Sequence, residues 1–108
     1  MNYCDSPYRF QRRETRPVTI GDTTDGGVVV GGSEPIVRQS MITCSTLNTE
    51  ASVEQSMALV DVGCQIVRIT AQTKRYAANL EHIVAGIRDR GSNVPVVADI
   101  HFKPDAAM

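Results

Sequence analysis

The 108-residue chain has no tryptophan, only two phenylalanines and a formal net charge of -1. A charge so close to zero gives no reason to expect binding to nucleic acid or to an anionic membrane through bulk electrostatics. All apolar runs are far shorter than the roughly 20 residues that a membrane-spanning helix needs. The first residues carry charges but no apolar segment behind them, so no secretory signal is expected. These absences predict a cytoplasmic protein with no nucleic-acid or membrane partner.

Cysteine is scarce as well. The three cysteines, Cys4, Cys44 and Cys64, are odd in number and lie far apart in the chain. Neither a disulfide framework nor a Cys-x-x-Cys metal site has that spacing. We therefore expect three reduced thiols and no metal site in this chain, with Cys64 a small buried residue at the start of a strand.

Three short apolar segments alternate with helix-like segments at a period of roughly thirty residues, the size of a βαβ unit. The predicted strands are 35–41, 64–70 and 94–102, and the predicted helices between them are 50–62 and 74–90. Strands that alternate with helices predict a parallel sheet with right-handed crossovers. The fold class is therefore α/β.

The apolar residues of each predicted helix recur on one face, which we expect to pack against the sheet. They are Val53, Met57 and Val60 in the first helix and Leu80, Ile83, Val84 and Ile87 in the second. Thr49 is the expected N-cap of the first helix, and Gly63 and Gly91 are the expected left-handed stops of the two helices. His82 lies off the apolar face and is expected to be solvated.

The chain divides into a basic arm over 1–15, a β-hairpin over 16–34 and the first βαβαβ units of a larger sheet or barrel over 35–108. The hairpin is predicted because two β-prone runs flank a loop that contains the turn signal Asp25-Gly26. It could close the amino-terminal end of a barrel. Three parallel strands would leave strand edges unpaired, so we expect a fragment of a larger protein.

Polar side chains stand at or near the carboxyl ends of the three predicted strands, where α/β enzymes carry their chemistry. Gln39 and Ser40 belong to the first strand, Arg68 to the second, and Asp99 and His101 to the third. The planar arginine fork matches phosphate oxygens, and histidine can exchange a proton near neutral pH. The pattern predicts an anion site at this edge. The other interpretation is a layer of ion pairs that only closes the sheet.

Several motifs occur together in the order found in one enzyme family. They are Arg12-Arg13 with Thr15-Arg16, Ile20-Gly21, Pro35-Ile36-Val37 before Gln39-Ser40-Met41, Glu50-Ala51, Gly63 with Ile66-Val67-Arg68, and Val97-Ala98-Asp99-Ile100-His101-Phe102. Over nearly its whole length the chain resembles the 4-hydroxy-3-methylbut-2-enyl diphosphate synthases of the methylerythritol phosphate pathway to isoprenoids. The resemblance depends on the combination of QSM, VR and ADIHF, because each alone would be weak.

The resemblance implies the amino-terminal portion of a (β/α)8 TIM barrel, which in this family is joined to a carboxy-terminal [4Fe–4S] domain. The family reductively opens 2-C-methyl-D-erythritol 2,4-cyclodiphosphate, with two electrons from ferredoxin or flavodoxin, and works as a homodimer. By resemblance, Arg68, Gln39 and Ser40 bind substrate, and Asp99 and His101 are catalytic residues. The cluster ligands would lie outside this chain, so the 108 residues alone are expected to be inactive.

Two alternatives stay open from the residues alone. Another anion-binding TIM-barrel enzyme, of the pterin-binding or aldolase type, would also place aspartate, arginine and histidine at strand ends. A non-catalytic αβ module that dimerises through its open strand edges would need no site.

Overall fold

A computed structural model describes residues 13–108, so most of the basic arm predicted at 1–15, and Cys4 with it, lies outside the described residues. The elements in chain order are β1 (Val18–Ile20), β2 (Val28–Val30), β3 (Gln39–Met41), α1 (Thr49–Asp61), β4 (Ile66–Thr70), α2 (Lys74–Asp89), β5 (Val96–Asp99) and a 3-10 helix (Pro104–Ala107). Across the described residues, neither helix has the length and apolar character needed to cross a membrane.

Strands β3, β4 and β5 form a parallel sheet with β4 at its centre. Met41 pairs with Arg68 across β3 and β4, and Thr70 pairs with Asp99 across β4 and β5. Helices α1 and α2 connect the strands in sequence. The predicted α/β arrangement of three parallel strands and two full helices is therefore confirmed.

The first predicted strand is wrong over its first half. The strand covers only Gln39–Met41, and Ile36, expected inside it, is 92% exposed. Pairing begins at Arg38, whose carbonyl oxygen accepts a hydrogen bond from the N–H of Ile66 at 3.2 Å. Opposite the residues that precede Arg38, the backbone is still in the turn that follows α1 and has not yet entered β4. Residues 35–37 consequently have no strand opposite them, and a ladder cannot form there.

The first helix begins one residue before its predicted start, because its N-cap is Asn48 and not Thr49. The Oδ1 of Asn48 accepts a hydrogen bond from the N–H of Ala51 at 3.2 Å, as a capping side chain does. At the other end Gly63 has a φ of 97°, which is the predicted left-handed stop. The second helix matches its prediction to within one residue.

The hydrophobic core lies between the sheet and the helices. Val67 and Ile69 of β4 are completely buried in one cluster with Ile83 and Ile87 of α2. The predicted apolar faces of the helices supply four further members, Val53, Met57, Val60 and Leu80, whereas the predicted Val84 is not among them. Alternate residues of a strand face opposite sides of the sheet. Arg68 lies between Val67 and Ile69, and Thr70 follows Ile69, so Arg68 and Thr70 face away from the helices.

The hairpin is present, with β1 and β2 paired antiparallel. In its turn, the Oδ1 of Asp22 accepts hydrogen bonds from the N–H and the hydroxyl of Thr24, at 2.9 Å and 2.6 Å. The turn contacts the segment that enters β5, where the Nδ2 of Asn93 donates to the Oδ2 of Asp25 at 2.6 Å. The hairpin therefore meets the amino-terminal end of the parallel sheet.

Candidate functional site

Arg68 and Asp99 form an ion pair between the neighbouring strands β4 and β5. The Nη2 of Arg68 lies 3.0 Å from the Oδ2 of Asp99. Both side chains are on the face of the sheet that is turned away from the helices, because Val67 and Ile69 on either side of Arg68 are buried in the core. The Arg68 side chain is 39% exposed and the Asp99 side chain 20% exposed. A ligand can therefore reach the pair from solvent.

The ion pair lies at the carboxyl-terminal end of the sheet. Asp99 is the last residue of β5, and its register partner Thr70 is the last residue of β4. Arg68 comes two residues before Thr70. This is the end at which α/β barrels bind their ligands. The structure thus brings two of the predicted site residues into contact at the expected end.

His101 lies at the same end, two residues beyond β5. It is half-buried, and its ring packs edge-to-face against that of Phe102, with centroids 5.2 Å apart. Phe102 is 95% exposed and has a φ of 72°, a left-handed conformation that is uncommon for a residue other than glycine. The third strand was predicted to continue to Phe102, but the backbone leaves the sheet after Asp99. His101 therefore belongs to a loop and not to a strand.

Gln39 and Ser40 were predicted at the carboxyl end of their strand. They are instead its first two residues. They pair with Ile66 and Val67, and both are exposed. Gln39 shares the face of Arg68, nearer the amino-terminal end of the sheet. Ser40 shares the face of Val67, which is the helix side. The difference follows from the late start of this strand.

Arg38, which precedes these residues, is bound at the opposite end of the sheet. Its Nε donates to the carbonyl oxygen of Gly63 at 3.0 Å, and its backbone N–H donates to the Oε1 of Gln65 at 3.0 Å. The guanidinium therefore fastens the turn between α1 and β4. It is not part of the edge that carries Arg68.

A partly buried polar network at the carboxyl-terminal edge was not predicted. The hydroxyl of Thr46, a residue only 2% exposed, donates to the carbonyl oxygen of Thr70 at 2.7 Å. The Nδ2 of Asn79 on α2 donates to the carbonyl oxygen of Thr46 at 2.6 Å and to the hydroxyl of Thr49 at 2.9 Å. One signal was available in the sequence, because Asn79 stands four residues before Ile83 and so interrupts the apolar face of α2.

The described cysteines do not fit an iron–sulfur cluster. Cys44 and Cys64 are free and half-buried, and they lie at opposite ends of the sheet, after β3 and before β4. The strand predicted to start at Cys64 starts two residues later, at Ile66, and Cys64 is half-buried where burial was predicted. No group of three or more histidine, cysteine, aspartate or glutamate side chains within residues 13–108 could hold a metal ion. A cluster would need several thiolates brought together.

Comparison with known protein families matches residues 15–108 to the GcpE TIM-barrel domain. The matched range includes the hairpin, the whole parallel sheet and both helices. It also includes Arg68, Asp99 and His101.

The chain is also similar to proteins named 4-hydroxy-3-methylbut-2-en-1-yl diphosphate synthase (flavodoxin). The protein of that name from Akkermansia muciniphila is 56% identical over 107 residues, which are 99% of this chain and 17% of that protein. Those from Protochlamydia amoebophila and Leptospira interrogans are each 47% identical over 106 residues, which are 98% of this chain and 15% of each relative. The chain therefore spans about one sixth of the length of these curated relatives.

Proposed function

The chain belongs to the GcpE TIM-barrel family, and on that premise we propose that it forms the first part of the barrel of a 4-hydroxy-3-methylbut-2-enyl diphosphate synthase. The family match over residues 15–108 and the names of the relatives support this assignment. The same match decides against the pterin-binding and aldolase alternatives. Nothing observed in the described residues favours the non-catalytic dimerisation module over the enzyme.

The proposed reaction opens 2-C-methyl-D-erythritol 2,4-cyclodiphosphate to 4-hydroxy-3-methylbut-2-enyl diphosphate. It consumes two electrons and two protons and releases one water. Flavodoxin is the proposed electron donor, because the names of the relatives specify it where the sequence alone left ferredoxin equally open. A [4Fe–4S] cluster held by cysteines outside this chain would supply the electrons. We propose a cytoplasmic homodimer as the working form.

The observation that carries the proposal is the Arg68–Asp99 ion pair at the carboxyl-terminal edge. A guanidinium has five N–H donors, and the contact with Asp99 is made through Nη2, so other donors remain for phosphate oxygens. Asp99 holds the guanidinium against the sheet, which reduces the side-chain entropy that binding must otherwise remove. Arg68 is therefore the proposed ligand of the substrate diphosphate.

Asp99 and His101 are the proposed catalytic residues of this part of the barrel. His101 sits in the loop directly after β5, where its imidazole can donate to a phosphate oxygen or transfer a proton. Gln39 is a further proposed substrate contact, because it shares the face of Arg68. A substrate contact by Ser40 stays a prediction. The position of Ser40 on the helix side of the sheet does not support that contact.

The test uses the complete, cluster-loaded enzyme and two arginine variants. Arg68→Ala should weaken the binding of inorganic diphosphate by roughly 10-fold to 100-fold, the size of a lost charge-assisted pair of hydrogen bonds. Arg90→Ala is the matched control, because it removes the same charge from the exposed end of α2 at the other end of the sheet. Turnover of the cyclic diphosphate with reduced flavodoxin should fall with Arg68→Ala only. Equal diphosphate affinities for the two variants would overturn the proposal for Arg68.

A further inference from the structure

A series of hydrogen bonds runs from α2 to the end of the central strand. The Nδ2 of Asn79 donates to the carbonyl oxygen of Thr46 at 2.6 Å, and the hydroxyl of Thr46 donates to the carbonyl oxygen of Thr70 at 2.7 Å. The first bond fixes the loop between β3 and α1, and the second fastens that loop to the last residue of β4. Asn79 therefore connects α2 to the carboxyl end of β4 through the loop that carries Thr46.

The series continues from β4 into the ion pair. The N–H of Ala71 donates to the carbonyl oxygen of Asp99 at 2.9 Å, directly after the register pair Thr70 and Asp99. The carboxylate of Asp99 then holds the guanidinium of Arg68 at 3.0 Å. Each step is a direct contact, so a displacement at Asn79 has a continuous route to Arg68.

This network is partly buried: Asn79, Thr49 and Thr70 are half-buried, and its buried members make it costly to break. Thr46 is almost completely buried, and Ala71 is fully so. A buried donor or acceptor that loses its partner pays the full cost of its desolvation, because water does not replace the bond. A satisfied polar network that is partly shielded from water favours one arrangement of the groups that it joins.

We propose that Asn79 is a positioning residue, which acts through Thr46 and the end of β4 to hold Arg68 in its diphosphate-binding orientation. The inference rests on the proposed function, since it takes Arg68 as the diphosphate ligand. Asparagine is required because its amide nitrogen donates to the carbonyl oxygen of Thr46 and to the hydroxyl of Thr49. An aspartate of the same shape has no hydrogen to donate to that carbonyl.

The experiment compares Asn79→Ala and Asn79→Asp with Asn93→Ala in the complete, cluster-loaded enzyme. Asn93 is a matched control, because its Nδ2 also makes a 2.6 Å bond between two segments, but at the amino-terminal end of the sheet. The readouts are the Kd of inorganic diphosphate, and KM and kcat for the cyclic diphosphate. We expect both Asn79 variants to raise Kd and KM by roughly tenfold, as expected for a misplaced binding group, with a smaller effect on kcat. Asn93→Ala should change Kd and KM by less than about twofold, because a distant site is independent.

A double-mutant cycle with Arg68→Ala tests whether Asn79 acts through Arg68. In the Arg68→Ala background, Asn79→Asp should leave the Kd of diphosphate nearly unchanged. Asn79→Asp is isosteric, so it provides the measurement if the alanine variant does not fold. An undiminished effect of Asn79→Asp without Arg68 would overturn the inference, as would Asn79 variants that bind diphosphate like Asn93→Ala. If Arg68→Ala itself binds diphosphate normally, the proposed function of Arg68 fails instead.

Discussion

Gly86 of α2 lies so close to Val53 of α1 that a Cβ atom on Gly86 would stand 2.6 Å from the Cγ2 of Val53. Glycine inside a helix costs about 1 kcal/mol relative to alanine, so its presence there needs a reason. The close approach of the two helices is that reason. It places α1 and α2 side by side over the sheet, where they bury Val67 and Ile69.

Gly86→Ala should therefore destabilise the protein, although alanine is the better helix former. We expect the free energy of unfolding to fall by roughly 1 kcal/mol. Overpacking a core by a methyl group costs about 1–3 kcal/mol, and the better helix propensity of alanine offsets about 1 kcal/mol of that cost. The measurement is the change in denaturation midpoint. In a Val53→Ala background, where the colliding methyl is absent, Gly86→Ala should be neutral or stabilising. Destabilisation of the same size in both backgrounds would show that another contact limits the packing.

Gly27 in the hairpin turn should tolerate an added side chain even less than Gly86 does, because the atoms in the way belong to the backbone. A Cβ there would lie 2.5 Å from the carbonyl carbon and 2.6 Å from the carbonyl oxygen of Asp22, which are backbone atoms that cannot rotate away. Gly27→Ala should open the turn. Gly91→Ala is the comparison, because that position has a φ of 86° but nothing within 4 Å of the added atom. We expect Gly91→Ala to cost only the backbone strain of about 1–3 kcal/mol.

The two glycine variants can be distinguished by hydrogen exchange. Amide protection in β1 and β2 should disappear in Gly27→Ala and persist in Gly91→Ala. Gly91→Asn should be milder than Gly91→Ala, because asparagine tolerates the left-handed conformation. Preserved protection of β1 and β2 in Gly27→Ala would contradict the steric argument.

The hairpin turn should also respond to acid through Asp22. Hydrogen bonds from the side chain and then the backbone N–H of Thr24 lower the pKa of the Asp22 carboxyl below its ordinary value of 3.8. The folded state therefore favours the carboxylate, and its stabilising contribution is present above the ordinary value and is lost as the pH falls through the lowered one. An NMR titration should show the Thr24 amide signal moving in that acid range. Thr24→Val should raise the pKa of Asp22, whereas an unchanged titration would refute the assignment of the cause.

The 108-residue chain produced alone should show no iron–sulfur absorbance after reconstitution and no product from the cyclic diphosphate. Its described residues offer no group of ligands for a metal. It should also self-associate, because β3 and β5 are the edges of the described sheet and present unpaired backbone groups. Sedimentation at several concentrations would measure this. A sharp thermal transition that does not depend on concentration would contradict the expected association.

Much of the fold could be predicted because the determining signals are local. The apolar face of α2, the left-handed glycine at position 63 and the apolar runs of β4 and β5 each depend on neighbours in the chain. The element types and their order follow from such periods and stops. The predicted cap of α1 was wrong by one residue, because both Asn48 and Thr49 are good capping residues and only the backbone geometry selects between them.

The α/β alternation could thus be predicted without coordinates, as could the helix faces and the family resemblance of the motifs. Only the folded chain reveals the contact between Arg68 and Asp99, the late start of β3 at Gln39 and the partly buried bond from Asn79 to Thr46. Periodicity is set along the chain, whereas contact between distant residues depends on strand register and helix docking. Residues 31 and 33 positions apart meet only once the sheet and α2 have packed together.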